Sequence, residues 1–345
     1  MFTLCAARFI IVAILCSCSC SCTWLARAEP YHAPFWLPGG NLQTIYAARI
    51  ASTPEITYRR ERWELADGDF VDTDWVDGDS SAPLVVLFHG LEGSSASHYA
   101  LSLMAAVQTR GWRGVVIHFR GCSGEPNRLS RAYHAGDAAE IDSLLLRAKL
   151  QSADAPLYAV GVSLGGNALL KWLGEKNSQA HSVAEKAVAV SAPLDLAATG
   201  YALGEGFNLF YAQAFLGTLK QKALQKLDQH PALYDREAVA AIDTIYSFDD
   251  LVTAPLHGFS GAEDYWAKAS SKPGLIHIGI PTLLINARND PFLPEAFLPS
   301  ADQVSPHVTL EYSETGGHVG FVSGPFPGNL NWLPQRILEF FSPLP

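Results

Sequence analysis

Short apolar runs alternate with amphipathic stretches along most of this chain. The runs are rich in Val, Ile and Leu and cover residues 84–88, 115–119, 157–160, 187–192, 282–285 and 308–310. Continuous apolar runs of this length are typical of strands that are buried on both faces of a parallel sheet. Between the runs, apolar residues recur every three or four positions, as on one face of a helix. The pattern predicts an α/β fold with a mostly parallel central sheet flanked by helices.

Two stretches depart from this alternation. Residues 57–76 predict a β-hairpin, because Val71, Thr73 and Trp75 alternate with aspartates at 72 and 74, and Asp67-Gly68 supplies a turn. Residues 194–280 carry helical patterns at 216–227 and 236–245 but no strand pattern. We expect this second segment to form a helical cap over the sheet. The alternative is a set of additional helices packed in the core.

The first 29 residues have the pattern of a targeting segment. Arg8 precedes an apolar run at residues 9–16, and Ala26-Arg27-Ala28 follows shortly before Pro30. A positive charge, a short apolar run and an A-x-A site form the order of a secretory signal peptide. An uncleaved membrane anchor and a start codon further along the chain are the alternatives. Export or anchoring would place residues 30–345 on the periplasmic side, and a later start would place them in the cytoplasm.

Composition and charge exclude several classes of function. The 345 residues are 48% apolar and 17% charged, which excludes an intrinsically disordered protein. The net charge is −10 and no basic cluster exceeds a pair, so nucleic acid is not an expected partner. Membrane contact is expected only through the N-terminal segment. The cysteines at 16, 18, 20 and 22 lack the spacing of a structural zinc site, so no metal is predicted.

One serine has the surroundings of a nucleophile. Gly161-Val162-Ser163-Leu164-Gly165 follows the predicted strand at 157–160 and precedes a helical pattern at 167–173. A serine on such a sharp strand-to-helix turn projects its hydroxyl above the sheet, and flanking glycines prevent clashes where the backbone packs tightly. The helix N-terminus behind the serine favours developing negative charge. We predict that Ser163 is a catalytic nucleophile.

A serine hydroxyl needs a base, and the base needs an acid that orients it. In enzymes with this turn the acid and then the base follow the serine along the chain. Asp290 comes shortly after the predicted strand at 282–285 and is the expected acid. His318 lies in a glycine-bracketed loop after the last predicted strand and is the expected base. The sequence therefore predicts a triad of Ser163, Asp290 and His318.

Acyl transfer through a serine places negative charge on the carbonyl oxygen, which two backbone N–H groups typically stabilise. One donor is expected to be Leu164, the residue after the nucleophile. The other is expected in the loop after the strand at 84–88, where His89-Gly90 permits a tight turn and makes Leu91 the donor. We interpret His89 as a residue that orients this loop and not as a second base.

Together these motifs resemble one branch of the α/β-hydrolase family, the bacterial YheT-type hydrolases. That branch is related to yeast medium-chain ethanol acyltransferases and animal abhydrolase-domain lipases. The resemblance runs from about residue 34 to 343. The stretches that carry it are LQT at 42–44, HGLEG at 89–93, HFRGCSGEPN at 118–127, GVSLGGN at 161–167, FDD at 248–250, DPF at 290–292 and GGHVGF at 316–321.

The resemblance implies an α/β-hydrolase fold and a charge relay through Ser163, Asp290 and His318, in agreement with the prediction from the residues. It also implies hydrolysis of carboxylic esters with short- or medium-chain acyl groups, acylglycerols included, without a cofactor. The expected partner is thus a small-molecule acyl ester. Two other functions stay open. One is an acyltransferase that passes the acyl group to an alcohol, and the other is a non-catalytic binding protein with the same fold.

Three departures or open points accompany the resemblance. The family usually has His before Leu-Gln-Thr, and this chain has Asn41, so we expect a different substrate preference if that position shapes the pocket entrance. Cys122 is the one cysteine after residue 22, and we expect a packed structural residue and not a reactive thiol. Bacterial members of the family generally lack an export segment, which keeps the later start codon open.

Overall fold

The computed structural model describes residues 30–152 and 154–342, so the predicted targeting segment lies outside the described residues. In this part of the chain no helix combines the length and hydropathy that a membrane span needs. The strands are β1 (Arg59–Glu64), β2 (Phe70–Val76), β3 (Leu84–Phe88), β4 (Arg113–Ile117), β5 (Leu157–Val162), β6 (Lys186–Val190), β7 (Thr282–Ala287) and β8 (Val308–Ser313). The helices are α1 (Gly40–Arg49), α2 (His98–Thr109), α3 (Ala138–Ser152), α4 (Leu164–Lys176), α5 (Leu196–Leu203), α6 (Asn208–Gln229), α7 (Arg236–Ala241), α8 (Ile245–Phe248), α9 (Ala254–Leu256), α10 (Ala262–Ala269) and α11 (Trp332–Phe341).

The eight strands form one sheet in the order β1-β2-β4-β3-β5-β6-β7-β8. β2 pairs antiparallel with both β1 and β4, and all the pairs from β4 to β8 are parallel. Each of the six apolar runs in the sequence overlaps one of the six parallel strands. The predicted α/β fold with a mostly parallel sheet and flanking helices is therefore confirmed.

Alternate residues of the central strands contact opposite helical layers. In β3, Val86 belongs to one core cluster with Ile141 of α3 and Trp172 of α4. Its neighbour Val85 belongs to a second cluster with Met104 of α2, and α11 packs on this side too. Every residue of β3 is buried. Because helices cover both faces of the sheet, the strand has no polar face and its sequence is continuously apolar.

β1 and β2 form the predicted hairpin, and β2 is buried along its whole length. Trp75 joins the hydrophobic core, whereas Asp72 and Asp74 lie on the opposite face of the strand. Arg62 donates hydrogen bonds of 2.8 and 3.0 Å to Asp72, and Arg60 donates bonds of 2.7 and 2.8 Å to Asp74. The alternation in the sequence indicated which residues share a face, but the arginine layer that covers the aspartates was not predicted.

The segment between β6 and β7 contains α5 to α10 and, among the described residues, no strand. We refer to these helices as the cap. The helical pattern at 216–227 lies within α6, which is 22 residues long. The continuous helix predicted at 236–245 is wrong, because α7 ends at Ala241 and α8 begins at Ile245. The extended Thr244 separates them, and its Oγ1 accepts the Ser247 N–H at 3.0 Å as an N-cap.

Candidate active site

Ser163 lies on a sharp turn between β5 and α4. Its backbone angles, φ 52° and ψ −122°, are unfavourable for a residue that carries a Cβ. The Ser163 N–H donates to the carbonyl oxygen of Val190 at 2.8 Å, and the Ser163 carbonyl accepts from the N–H of Asn167 at 3.1 Å. β6 and the first turn of α4 therefore hold the turn in its strained conformation. The hydroxyl lies at the carboxyl end of the parallel strands.

Close packing explains why the residue two positions after this serine, Gly165, is a glycine. A Cβ on Gly165 would lie 2.5 Å from the carbonyl oxygen of His89, which is too close for any side chain. The backbone after β3 can therefore approach the serine turn directly. As a result Gly90 lies against Ser163, where a Cβ on the glycine would be 3.1 Å from the serine Cβ.

The structure brings the three predicted side chains together from separate loops. His318 Nε2 lies 2.9 Å from Ser163 Oγ, and His318 Nδ1 lies 2.8 Å from Asp290 Oδ2. The other carboxylate oxygen, Oδ1, accepts the Phe292 N–H at 2.8 Å, and the Asp290 side chain has no exposed surface. When the carboxylate accepts a hydrogen bond from Nδ1–H, the imidazole has its proton on Nδ1, and Nε2 is free to accept the serine proton. The arrangement can therefore move a proton from serine to histidine.

A segment near the N-terminus holds the histidine loop. Thr44 Oγ1 accepts the backbone N–H of His318 at 2.8 Å. The adjacent Gln43 uses its Oε1 to accept the Gly316 N–H at 2.8 Å and the Asn289 side-chain amide at 3.1 Å. The sequence assigned no role to these three polar side chains. Thr44 and His318 are 274 positions apart, so no local pattern links them, and the LQT stretch was the single signal.

The other side of the loop is fixed through Val319, which has φ 56°. Its N–H donates to Ser191 Oγ at 3.1 Å, and its carbonyl accepts from His98 Nε2 at 2.9 Å. Burial lowers the pKa of His98, so its imidazole stays neutral. The ring of Phe292 lies 4.3 Å from the ring of His318, measured between centroids. The His318 loop is thus held through its backbone on two sides, and the His318 imidazole also packs against an aromatic ring.

The two predicted oxyanion donors border the same cavity as Ser163. Leu164 is the first residue of α4, so its N–H has no partner within the helix. Neither its N–H nor that of Leu91 donates to an acceptor within residues 30–152 or 154–342. Two free donors beside a serine hydroxyl are what a developing carbonyl oxyanion requires.

His89 precedes this loop and is completely buried. Its Nδ1 donates to the Gly90 carbonyl at 2.8 Å, and its Nε2 accepts the Phe119 N–H at 3.1 Å. Burial lowers the pKa of His89 to about 3, so the ring stays neutral at physiological pH. His89 therefore orients the loop after β3, and both of its ring nitrogens are already engaged.

A cavity of about 530 Å³ extends from Ser163 beneath the cap. Its apolar side chains include Leu164, Leu196, Leu203, Phe215, Leu219, Phe248, Val252, Leu256, Trp266, Phe292 and Leu293. Polar side chains also line the cavity, among them Glu92, Tyr133, Lys222 and Asp249, and so does the Cys122 thiol. Burial raises the pKa of Cys122 to about 11, so the sulfur remains a thiol at neutral pH, as a packed cysteine does.

Asn41 stands where the family usually has His, and it contacts the cap. Its Oδ1 accepts a hydrogen bond of 3.0 Å from the hydroxyl of Tyr211 on α6. The Tyr211 ring in turn lies 4.7 Å from that of Phe292, which borders the cavity. Asn41 thus ties α1 to α6 beside one wall of the cavity.

The described residues contain no candidate metal site. Among residues 30–152 and 154–342, no group of three or more His, Cys, Asp or Glu side chains could hold a metal ion. The N-terminal cysteines lie outside the described residues.

Comparison with known proteins gives a consistent family assignment. A family model for the alpha/beta hydrolase fold matches residues 83–325. The YheT protein of Escherichia coli is 40% identical over 307 residues, which cover 88% of this chain and 90% of YheT. Human phospholipase ABHD3 is 29% identical over 325 residues, covering 90% of this chain and 78% of that protein. The monoacylglycerol lipase of Saccharomyces cerevisiae is 26% identical over 273 residues, covering 77% and 60% of the two chains.

Solved structures agree on the fold. Est1E of Butyrivibrio proteoclasticus, in complex with ferulic acid, superposes with a TM-score of 0.53 at 15% identity, over 83% of this chain and 98% of that one. Mouse alpha/beta hydrolase domain-containing protein 10 gives a TM-score of 0.52 at 15% identity, over 82% and 98% of the two chains.

Proposed function

Because this chain belongs to the YheT-type branch of the α/β-hydrolase family, we propose that it is a serine hydrolase that cleaves carboxylic esters through an acyl-enzyme on Ser163. One observation carries the proposal. A continuous hydrogen-bonded series runs from Ser163 Oγ to His318 Nε2, at 2.9 Å, and from His318 Nδ1 to Asp290 Oδ2, at 2.8 Å.

The reaction proceeds in two steps. In the first, Ser163 Oγ attacks the ester carbonyl carbon while His318 Nε2 takes the hydroxyl proton. Asp290 holds the imidazole orientation and stabilises the imidazolium, and the N–H groups of Leu91 and Leu164 stabilise the oxyanion. The tetrahedral intermediate expels the alcohol, which receives the proton from His318. In the second, water attacks the acyl carbon while His318 Nε2 takes its proton. The tetrahedral intermediate then breaks its bond to Ser163 Oγ, which receives the proton from His318, and the acid leaves.

The cavity accounts for the substrate class. Its volume of about 530 Å³ is within the range that holds small organic ligands, and its wall is mainly apolar. It therefore suits the acyl chain of a short- or medium-chain ester, acylglycerols included. The human relative is named for phospholipids and the yeast relative for monoacylglycerols. Both of those lipid classes contain carboxylic ester bonds of the type proposed here.

The test is a series of p-nitrophenyl esters from acetate to palmitate, hydrolysed by the full chain. Ser163→Ala should lower kcat by at least about 10⁴-fold, because loss of a serine nucleophile removes the covalent route. Ser182→Ala is the control, since its hydroxyl lies on the surface and donates to a backbone carbonyl. The chain length with the highest kcat/KM measures the acyl pocket. A wild type inactive on every ester, or an active Ser163→Ala, overturns the assignment.

The same reactions show where the acyl group goes. The acyl-enzyme can react with an alcohol as well as with water, and the products differ. With ethanol added at millimolar concentration, hydrolysis predicts free acid as the main product. A predominance of ethyl ester would replace the hydrolase assignment with an acyltransferase.

A further inference from the structure

One face of α6 touches several of the loops that surround Ser163. Residues 211, 222 and 226 are separated by eleven and four positions, about three turns and one turn, so they lie on the same face of the helix. Each donates a hydrogen bond to a different segment outside the cap: Tyr211 to Asn41, Lys222 to Glu92 and Lys226 to Asn127. The middle contact is the one that reaches the loop of the expected oxyanion donor.

Glu92, the residue after Leu91, has an unusual backbone conformation. Its φ is 55°, in the left-handed region, which is unfavourable for a residue with a side chain and persists where neighbours enforce it. Tyr133 is one such neighbour. Its hydroxyl accepts the Glu92 N–H at 3.0 Å and donates to Glu92 Oε1 at 2.8 Å. Lys222 Nζ donates to the same Oε1 at 2.9 Å.

The ion pair sits in a place where it can constrain the loop. The Glu92 side chain is only 8% exposed, so little water competes for its carboxylate, whereas the Lys222 side chain is 36% exposed. The ammonium also lies 3.4 Å from the Cys122 thiol. Burial alone would lower the pKa of Lys222, but the Glu92 carboxylate beside it raises the pKa above its ordinary value, so the charge is kept.

We propose that Lys222 and Tyr133 are positioning residues that hold Glu92 in its left-handed conformation and thereby direct the Leu91 N–H towards the reacting carbonyl oxygen. The proposal rests on the proposed serine hydrolase function. It makes the oxyanion hole depend on the cap, because Lys222 belongs to α6. Without the lysine, the Glu92 carboxylate keeps only Tyr133 as a partner, turns towards water and releases the strained backbone.

The test compares Lys222→Met with the wild type on the best ester. We expect kcat to fall by about 10- to 100-fold, because misplacing one oxyanion donor removes stabilisation of the transition state. KM should change less than about twofold, since the donor acts mainly on the transition state. Lys222→Arg should recover much of the loss. Lys220→Met is the matched control, because Lys220 lies on the same helix and donates within the cap, to the Ile242 carbonyl at 2.6 Å.

A second readout separates positioning from a merely structural contact. A trifluoromethyl ketone forms a tetrahedral oxyanion on the serine, so its affinity should fall in parallel with kcat/KM across the variants. The affinity for a long-chain alcohol, which occupies the cavity without forming an oxyanion, should stay the same. The double variant Glu92→Gln with Lys222→Met should lower kcat no further than the larger of the two single effects, because both substitutions remove the same ion pair.

Thermal melting of every variant precedes the assays. If Lys222→Met melts below the assay temperature, Glu92→Gln with Lys222→Gln replaces it, since that pair leaves no unpaired buried charge. A folded variant whose kcat stays within about twofold of the wild type, or whose loss lies in KM alone, overturns the positioning role. That outcome leaves Ser163-dependent hydrolysis intact. A wild type without esterase activity would instead show that the proposed function is wrong.

Discussion

At the residue scale, the orientation of His318 depends on its backbone as well as on Asp290. Thr44 Oγ1 accepts the His318 N–H at 2.8 Å and donates its own proton to the Gly40 carbonyl at 2.7 Å. A hydroxyl that donates to a carbonyl presents its lone pairs to the histidine, so the contact has a fixed direction. The proposed base is therefore positioned by a residue that has no part in the proposed proton transfer.

Thr44→Val should lower kcat/KM by about tenfold, because the partly buried His318 N–H loses its acceptor at a cost of roughly 1 kcal/mol and the loop shifts. Valine has nearly the same shape, so packing should be preserved. Thr109→Val is the control, since Thr109 is exposed at the end of α2 and its Oγ1 donates to the Ala105 carbonyl at 2.8 Å. Ester hydrolysis and thermal melting of both variants measure the effect. Unchanged activity in Thr44→Val would show that Asp290 alone suffices to orient the ring.

At the element scale, the strand–turn–helix unit at Ser163 requires a backbone without a Cβ, whereas the cap helix does not. A Cβ on Gly165, in α4, would lie 2.5 Å from the His89 carbonyl oxygen. A Cβ on Gly217, in α6, would meet nothing within 4 Å. The two helical glycines therefore have different consequences. Gly165 permits close packing, whereas Gly217 serves no packing need and only lowers the helix propensity of α6.

Gly165→Ala should therefore lower the free energy of unfolding by more than about 2 kcal/mol, since backbone must move to admit the methyl group. Gly217→Ala should raise it by about 0.5–1 kcal/mol, because alanine is the better helix former. Urea denaturation of both variants measures the two changes. Equal effects of the same sign would contradict the packing explanation for the serine turn.

The elements that the sequence predicted are those encoded by a local pattern. Each parallel strand contains a short apolar run, and Asp290 and His318 could be chosen because each follows one of those strands. The break between α7 and α8 was missed, since the N-cap at Thr244 lies inside a pattern of helical period. The roles of Gln43 and Thr44 could not be predicted, because their partners are 273 and 274 positions away. Contacts of that kind become visible only in the folded chain.

At the scale of the whole molecule, buried carboxylates set opposing dependences of stability on pH. Burial alone would raise the pKa values of Asp72 and Asp74, but hydrogen bonds from Arg62 and Arg60 outweigh it and lower them. Because the folded pKa values lie below the unfolded ones, these groups stabilise the protein above their ordinary pKa, near 3.8, and lose that contribution in acid. The hairpin should therefore weaken as the pH falls below about 4.

Asp249 in the cap has the opposite sign. Its carboxylate accepts hydrogen bonds from Thr253 Oγ1 at 2.7 Å and Trp266 Nε1 at 2.8 Å, both neutral donors. Burial raises the pKa of Asp249 to about 6. Below the ordinary pKa of 3.8 the group is protonated in the folded and unfolded states, so it has no effect. As the pH rises from about 4 to above 6, the unfolded chain ionises first and folding becomes less favourable.

Asp249→Asn removes this ionisation. The unfolding free energy of the variant minus that of the wild type should therefore increase by on the order of 2 kcal/mol between pH 4 and pH 8. The amide changes the hydrogen bonds to Thr253 and Trp266 by an amount that does not vary with pH. Only the slope of the difference therefore reports the carboxyl group. Urea denaturation at intervals of one pH unit gives that slope, and Asp228→Asn, at a side chain 71% exposed, is the control. Parallel curves for wild type and Asp249→Asn would mean that the cavity admits enough water to keep Asp249 ionised in the folded protein.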